Sequence, residues 1–114
     1  MEIKELTNLD CIRENEVKRV NKIKSNFDLD VEFAALAEWH HSKGHVAQFD
    51  IHKRLSKLLE EVGELAAAIN KGDSIAEIRA ELGDCFSVLT SICEIYGLTV
   101  SECVRDVNDK LSKR

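Results

Sequence analysis

The stretch that decides the fold is residues 51–96, IHKRLSKLLEEVGELAAAINKGDSIAEIRAELGDCFSVLTSICEIY. Leu55, Leu58, Leu59, Val62, Leu65, Ala66 and Ile69 recur at helical spacing in its first half. Ile78, Leu82, Cys85, Phe86, Leu89, Ile92, Cys93 and Tyr96 do so in its second. Apolar residues three and four apart fall on one side of a 3.6-residue helix, so each half reads as an amphipathic helix, near 51–70 and 74–96, with the stripes expected to form the core. Only Lys71-Gly72-Asp73 separates the two. So short a link folds two helices back on each other as an antiparallel hairpin.

Outside this hairpin, Gly44 and Gly97, like Gly72, each follow an apolar-periodic stretch, where a left-handed residue ends a helix. Start signals complement them. Ser74 with Glu77 and Thr99 with Glu102 match the capping-box spacing, and Asp50 is expected to cap the helix that follows it. Further helices are expected near 31–43 and 100–112. A weaker one near 8–25 carries only a loose period of Leu9, Ile12, Val17, Val20 and Ile23 among many charges. The expected fold is therefore all-α, an antiparallel bundle of four to five helices. Its organisation is an N-terminal helical extension over 1–30 and a helical domain over 31–114.

Composition bounds the function. The 114 residues suit one core, at 44% apolar and 32% charged. A formal charge of −5 argues against a charge-driven grip on polymeric nucleic acid. No apolar run approaches the roughly 20 residues of a membrane span, and MEIKELTNLD lacks the apolar centre of a secretory signal, so a cytoplasmic protein without a membrane partner is expected. Cys11, Cys85, Cys93 and Cys103 form no CxxC pair and read as reduced.

Two glycines, Gly63 and Gly83, lie inside the long helices, where each costs about 1 kcal/mol relative to Ala. Each belongs to a matching string, Glu61-Val62-Gly63-Glu64 and Glu81-Leu82-Gly83-Asp84. Spacing of three puts each acid pair on one helical face. The pairs are centred about ten residues to either side of Gly72, roughly 15 Å of helix rise, so an antiparallel hairpin sets them level. Four carboxylates at one level repel unless a cation sits among them. All-oxygen ligands favour magnesium, with manganese as a substitute, over zinc, and magnesium commonly completes its shell with water and phosphate. A phosphorylated substrate follows. The glycines are expected to let backbones approach so that short acidic side chains converge. Glu60, on another face, is open to three roles: surface charge, an orienting group or a base. Lys57, one turn before Glu61, is open to phosphate binding or an intrahelical ion pair.

The string Leu58-Leu59-Glu60-Glu61-Val62-Gly63-Glu64-Leu65, resumed at Glu81-Leu82-Gly83-Asp84, resembles the EExxE and ExxD signature of the MazG-like nucleotide pyrophosphohydrolases. The resemblance covers about Phe33 to Arg114. It implies an all-α enzyme that uses magnesium to hydrolyse a (deoxy)nucleoside triphosphate to the monophosphate and pyrophosphate. It also implies a homo-oligomer, dimer or tetramer, with Glu61, Glu64, Glu81 and Asp84 as metal ligands and Glu60 and Glu61 as the acids nearest the chemistry. Asn108, Lys110 and Arg114 are similar to the family's N-x-K-x-x-x-R, and Trp39 with Lys43 to its W-x-x-x-K/R. The resemblance assigns these five residues, with Lys57, to substrate. Two readings compete with it. A ferritin-type di-iron bundle needs Glu-x-x-His motifs, which none of these acids supplies, and His40, His41, His45 and His52 make a poor zinc set because Gly44 divides them. A non-catalytic helical dimerisation module fits the apolar stripes but gives no reason for interior glycines and clustered acids.

Overall fold

The computed structural model describes residues 27–114; the extension and the helix expected near 8–25 lie outside the described residues. Among the described residues four α-helices follow one another: α1, Leu29–Ser42; α2, Ile51–Lys71; α3, Ile75–Ile95; and α4, Val100–Ser112. A short 3-10 turn, Gln48–Asp50, leads into α2. The all-α expectation holds, and each helix lies within a few residues of its expected place.

Local chemistry sets the ends. Gly44, Gly72 and Gly97 have φ of 72°, 72° and 68°, so all three take the left-handed conformation that glycine adopts without steric cost. Ser74 Oγ accepts from the Glu77 N–H at 3.2 Å. Thr99 makes the full reciprocal box, accepting from the Glu102 N–H at 3.1 Å while Glu102 accepts from the Thr99 N–H at 3.2 Å. Asp28 caps α1 through the N–H groups of Asp30 and Val31. Asp50 does not cap α2: its side chain makes no cap hydrogen bond. The 3-10 turn holds its backbone in a helical bridge, and its own N–H donates to the Ala47 carbonyl.

The α2–α3 hairpin dominates the packing, with α1 laid on α3; α4 departs from the end of α3 at 97° and reaches α1 through Ser101, whose hydroxyl donates to Asp30 at 2.6 Å. The hairpin's seam differs from the expected stripe. On α2 the covered positions are Arg54, Leu58, Glu61, Leu65 and Ala68, and on α3 they are Ile78, Glu81, Cys85, Val88, Ile92 and Ile95. Both series step by three and four, the spacing of a helix–helix seam. Leu58, Leu65, Ile78, Cys85 and Ile92 of the expected stripe lie in this seam, but others stand to one side of it: Leu59 is 67% exposed, Ile69 55% and Phe86 49%, with Leu55, Val62 and Leu82 also exposed. Each long helix thus carries a wide apolar arc, of which the hairpin covers one edge. Phe86 keeps an edge-on contact with Phe33 of α1, ring centres 6.5 Å apart.

The interior glycines also depart from expectation. Among the described residues a Cβ at Gly63 or Gly83 would meet nothing within 4 Å, so neither serves a close approach there. At ~100° per residue Gly63 points about 200° away from seam residue Glu61. Gly83 borders an open cleft of about 490 Å³ beside Asp84 and Trp39.

The caps give a direct test. Thr99→Ala should lower stability by about 1 kcal/mol, while Asp50→Ala should change it by only a few tenths, as urea midpoints would register. Equal losses would contradict the described start of α2.

Candidate metal and nucleotide site

Apart from Arg54 at its open end, the hairpin seam carries two charged positions, and both are glutamates. Glu61 is buried and Glu81 half-buried, and one carboxylate oxygen of each, Oε2, is buried without a hydrogen-bond partner. One carboxylate oxygen from each of Glu61, Glu81 and Asp84 lies within 4.8 Å of the other two. Three acids drawn together with two orphaned oxygens form a donor set with a deficit of positive charge. A buried polar atom without a partner costs roughly 1–3 kcal/mol, and more when charged. A hard divalent cation with oxygen ligands fits this set; neutral partners would leave the repulsion in place.

Glu64, the fourth expected acid, stands at the rim. It is exposed and hydrogen-bonds to Glu61, and that bond together with the Glu61 charge raises its pKa above the ordinary carboxylate value. Among the described residues Lys57 is the cation paired with the cluster, with Nζ 3.2 Å from Glu61 and 3.4 Å from Glu60. The bonds to these acids, Glu61 first, push the Lys57 pKa upward. Glu60 is exposed and faces Lys57. Cys85, buried beneath the acids, has its thiol pKa raised by burial and by the charge of Glu61. It behaves as a small apolar residue there.

A cavity of about 290 Å³ lies beside the acids, lined by Glu61, Asp84, Lys57, Arg54 and Ser87 together with Trp39, His40 and His45. The Trp39 ring is half exposed and stands edge-on to both His40, at 4.9 Å, and His45, at 5.6 Å. Lys43 sits over the Trp39 face, its Nζ 5.9 Å from the ring centre. Trp39 lines the cavity, while Lys43 packs on the Trp39 ring and is not among the lining residues. Asn108 and Lys110 on α4 and Arg114 just past its end are exposed and line neither this cavity nor the cleft beside Gly83.

Four cavity residues escaped the sequence reading as substrate-facing groups: His40, His45, Arg54 and Ser87. His40 is only 2% exposed, its Nδ1 lies 2.9 Å from His45 Nδ1, and its Nε2 lies 2.9 Å from Ser87 Oγ. Burial lowers the His40 pKa first and the His45 charge second; burial and Arg54 lower that of His45. Among the described residues the candidate metal cluster contains acids and no histidine. Ser87 follows Asp84 by one turn and Arg54 precedes Lys57 by one, so both had a periodic signal available.

Compared with known families, residues 49–114 match the MazG nucleotide pyrophosphohydrolase domain. No curated protein matches the chain, and no solved structure does. The match begins in the 3-10 turn before α2 and spans both acid strings, leaving Trp39 and the histidines outside it.

The raised Glu64 pKa has a signed consequence for the metal-free protein. The folded chain holds a proton on Glu64 in a range where the unfolded chain has lost it, so this contribution favours folding as pH falls through the raised pKa toward 4.5. It is lost as pH rises. His40 and His45 act in the reverse sense, withdrawing stability as pH falls from 6.5 toward their depressed values. In chelator, Glu64→Gln should remove the acid-side gain and leave the histidine slope. Denaturant midpoints between pH 4 and 8 would check this, and an unchanged acid limb would contradict it.

Proposed function

The chain belongs to the MazG nucleotide pyrophosphohydrolase family, and we propose that it is a magnesium-dependent enzyme converting a (deoxy)nucleoside triphosphate to the monophosphate and pyrophosphate. The observation that carries this reading is the pair of orphaned oxygens on Glu61 and Glu81, gathered with Asp84 beside a cavity that Glu61 and Asp84 line together with Trp39. That combination offers a cation, a polyphosphate and an aromatic base each a matching surface.

Glu61, Glu81 and Asp84 would hold the ion, with Glu64 at the rim of the same set. Bound magnesium, or manganese in its place, supplies charge neutralisation at phosphate oxygens and a more acidic water. Lys57 and Arg54 face the same cavity and take phosphate oxygens, Arg54 through its planar fork of donors. Trp39 stacks on the base, with Lys43 behind its ring. Glu60, next to Glu61, is the acid available to accept a proton from the attacking water. Water then adds at the α-phosphorus, the bond to the bridging oxygen breaks, and pyrophosphate leaves.

The exposed edge of the apolar arc supports a homodimer or homotetramer. Leu55, Leu59, Val62 and Ile69 on α2 stand beside Leu82 and Phe86 on α3 with their side chains exposed, and a second hairpin set against them would bury the whole strip. In such an assembly Asn108 and Lys110 of α4, with Arg114 beyond its end, would serve the neighbouring copy's phosphates. A non-catalytic dimerisation module accounts for this strip equally well, but leaves two buried carboxylate oxygens unexplained.

Two outcomes are expected. Purified protein with magnesium should release monophosphate and pyrophosphate from at least one nucleoside triphosphate, and Asp84→Asn or Glu64→Gln should abolish release while the fold stays intact by circular dichroism. No turnover across a full panel of bases and sugars would overturn the enzymatic reading. Leu59→Glu should shift the mass found by light scattering toward the monomer; an unchanged mass would remove the strip from the interface.

A further inference from the structure

The three groups Ser87, His40 and His45 are linked in a row across two elements: Ser87 on α3, His40 near the end of α1 and His45 just past Gly44. Both contacts are 2.9 Å. Burial and neighbouring positive charge keep both rings in the neutral form at neutral pH. A neutral imidazole carries one N–H and one bare nitrogen, while a serine hydroxyl both donates and accepts. The Nδ1-to-Nδ1 contact therefore needs its proton on one side or the other, and the heavy-atom positions accommodate both.

In the first arrangement Ser87 donates to His40 Nε2, His40 Nδ1–H donates to His45 Nδ1, and His45 carries its proton on Nε2. In the second every bond is reversed. His45 Nδ1–H donates to His40 Nδ1, His40 Nε2–H donates to Ser87 Oγ, and His45 Nε2 is bare. In each arrangement both contacts of the row join one donor to one acceptor. What differs is the outer end. His45 lines the cavity beside Trp39, and its Nε2 has no hydrogen-bond partner among the described residues.

We propose that Ser87, His40 and His45 form a reversible hydrogen-bond chain that offers His45 Nε2 to the substrate's base as either a donor or an acceptor. The proposal rests on the nucleotide reading above and deepens it by naming how the base edge is read. Keto and amino bases invert both the exocyclic group and the adjacent ring nitrogen, so a fixed donor would accept one and reject the other. A site with a fixed polar partner discriminates by orders of magnitude, whereas a reversible one does not. His45 is the residue that touches the base; His40 and Ser87 are positioning residues that set its proton. The pocket therefore takes both classes, with kcat/KM for uridine and cytidine triphosphates within about tenfold of each other.

The test uses the full chain with 15N-labelled histidine, magnesium, and the α,β-imido analogues of uridine and cytidine triphosphate, which bind without being cleaved at that bond. Calorimetry reports whether each analogue binds, and long-range 1H–15N correlation reports which nitrogen of His45 holds the proton. Opposite His45 tautomers in the two complexes are expected. In Ser87→Ala one tautomer should persist in both complexes, and the kcat/KM ratio of the two nucleotides should shift by about 10-fold or more, which a merely structural serine would not cause. Binding of both analogues with the same wild-type tautomer, or with His45 signals unmoved, overturns the proposal and leaves the nucleotide reading standing. Failure of either analogue to bind under any magnesium concentration overturns the chain's claim to serve both bases, and failure of all nucleotides to bind overturns both readings.

Discussion

Two glutamates occupy positions in the α2–α3 seam that heptad spacing would give to leucine or isoleucine. Everything else about the molecule is arranged around the need to neutralise them. A seam of Leu58, Leu65, Ala68, Cys85, Val88 and Ile95 alone would pack without assistance. Glu61 and Glu81 interrupt it with oxygens that find no protein donor. Lys57 meets part of the charge from one side, but a single ammonium cannot answer three converging carboxylates. The hairpin thus holds a site under electrostatic tension, a cost that natural proteins accept where chemistry needs it.

From that constraint the layout follows. α1 crosses α3 so that Trp39 and the paired histidines line one cavity with Glu61 and Asp84, and the 3-10 turn delivers Arg54 and Lys57 to its side. Charge and aromatic surface thereby meet within one cavity, the pattern that a molecule with a polyphosphate tail and a flat ring would fill. The apolar edge left exposed on α2 and α3 is a second consequence of the same geometry. Because the acids take the edge that closes the hairpin, the remaining arc has no cover within the described residues.

Much of this was legible in the sequence where the cause is local. Gly44, Gly72 and Gly97 end helices through their own backbone freedom, and Ser74 and Thr99 begin them through their own side chains, so spacing alone located them. The duplicated acid strings were legible because an antiparallel hairpin preserves distance from its turn. What depended on partners was not legible. Periodicity marks an apolar arc but not which edge faces the other helix, so part of the stripe assigned to the core is exposed and two acids lie in the seam with the rest. Asp50 has the right type for a cap, yet the 3-10 turn before it fixes its backbone otherwise. His40 and His45 meet across Gly44 and are locked by Ser87 from a distant helix, a contact with no period to reveal it.

The central claim is that the seam carboxylates exist to hold a divalent cation. Manganese, a paramagnetic stand-in for magnesium, makes this directly measurable, since the free aqueous ion gives a sharp electron paramagnetic resonance signal that protein binding broadens away. Titrating it into wild-type protein and into Glu81→Gln separates the possibilities. Saturable loss of signal in the wild type, displaced by magnesium and strongly weakened in the variant, is the predicted result. Equal binding by both proteins, or no binding by either, would contradict the account.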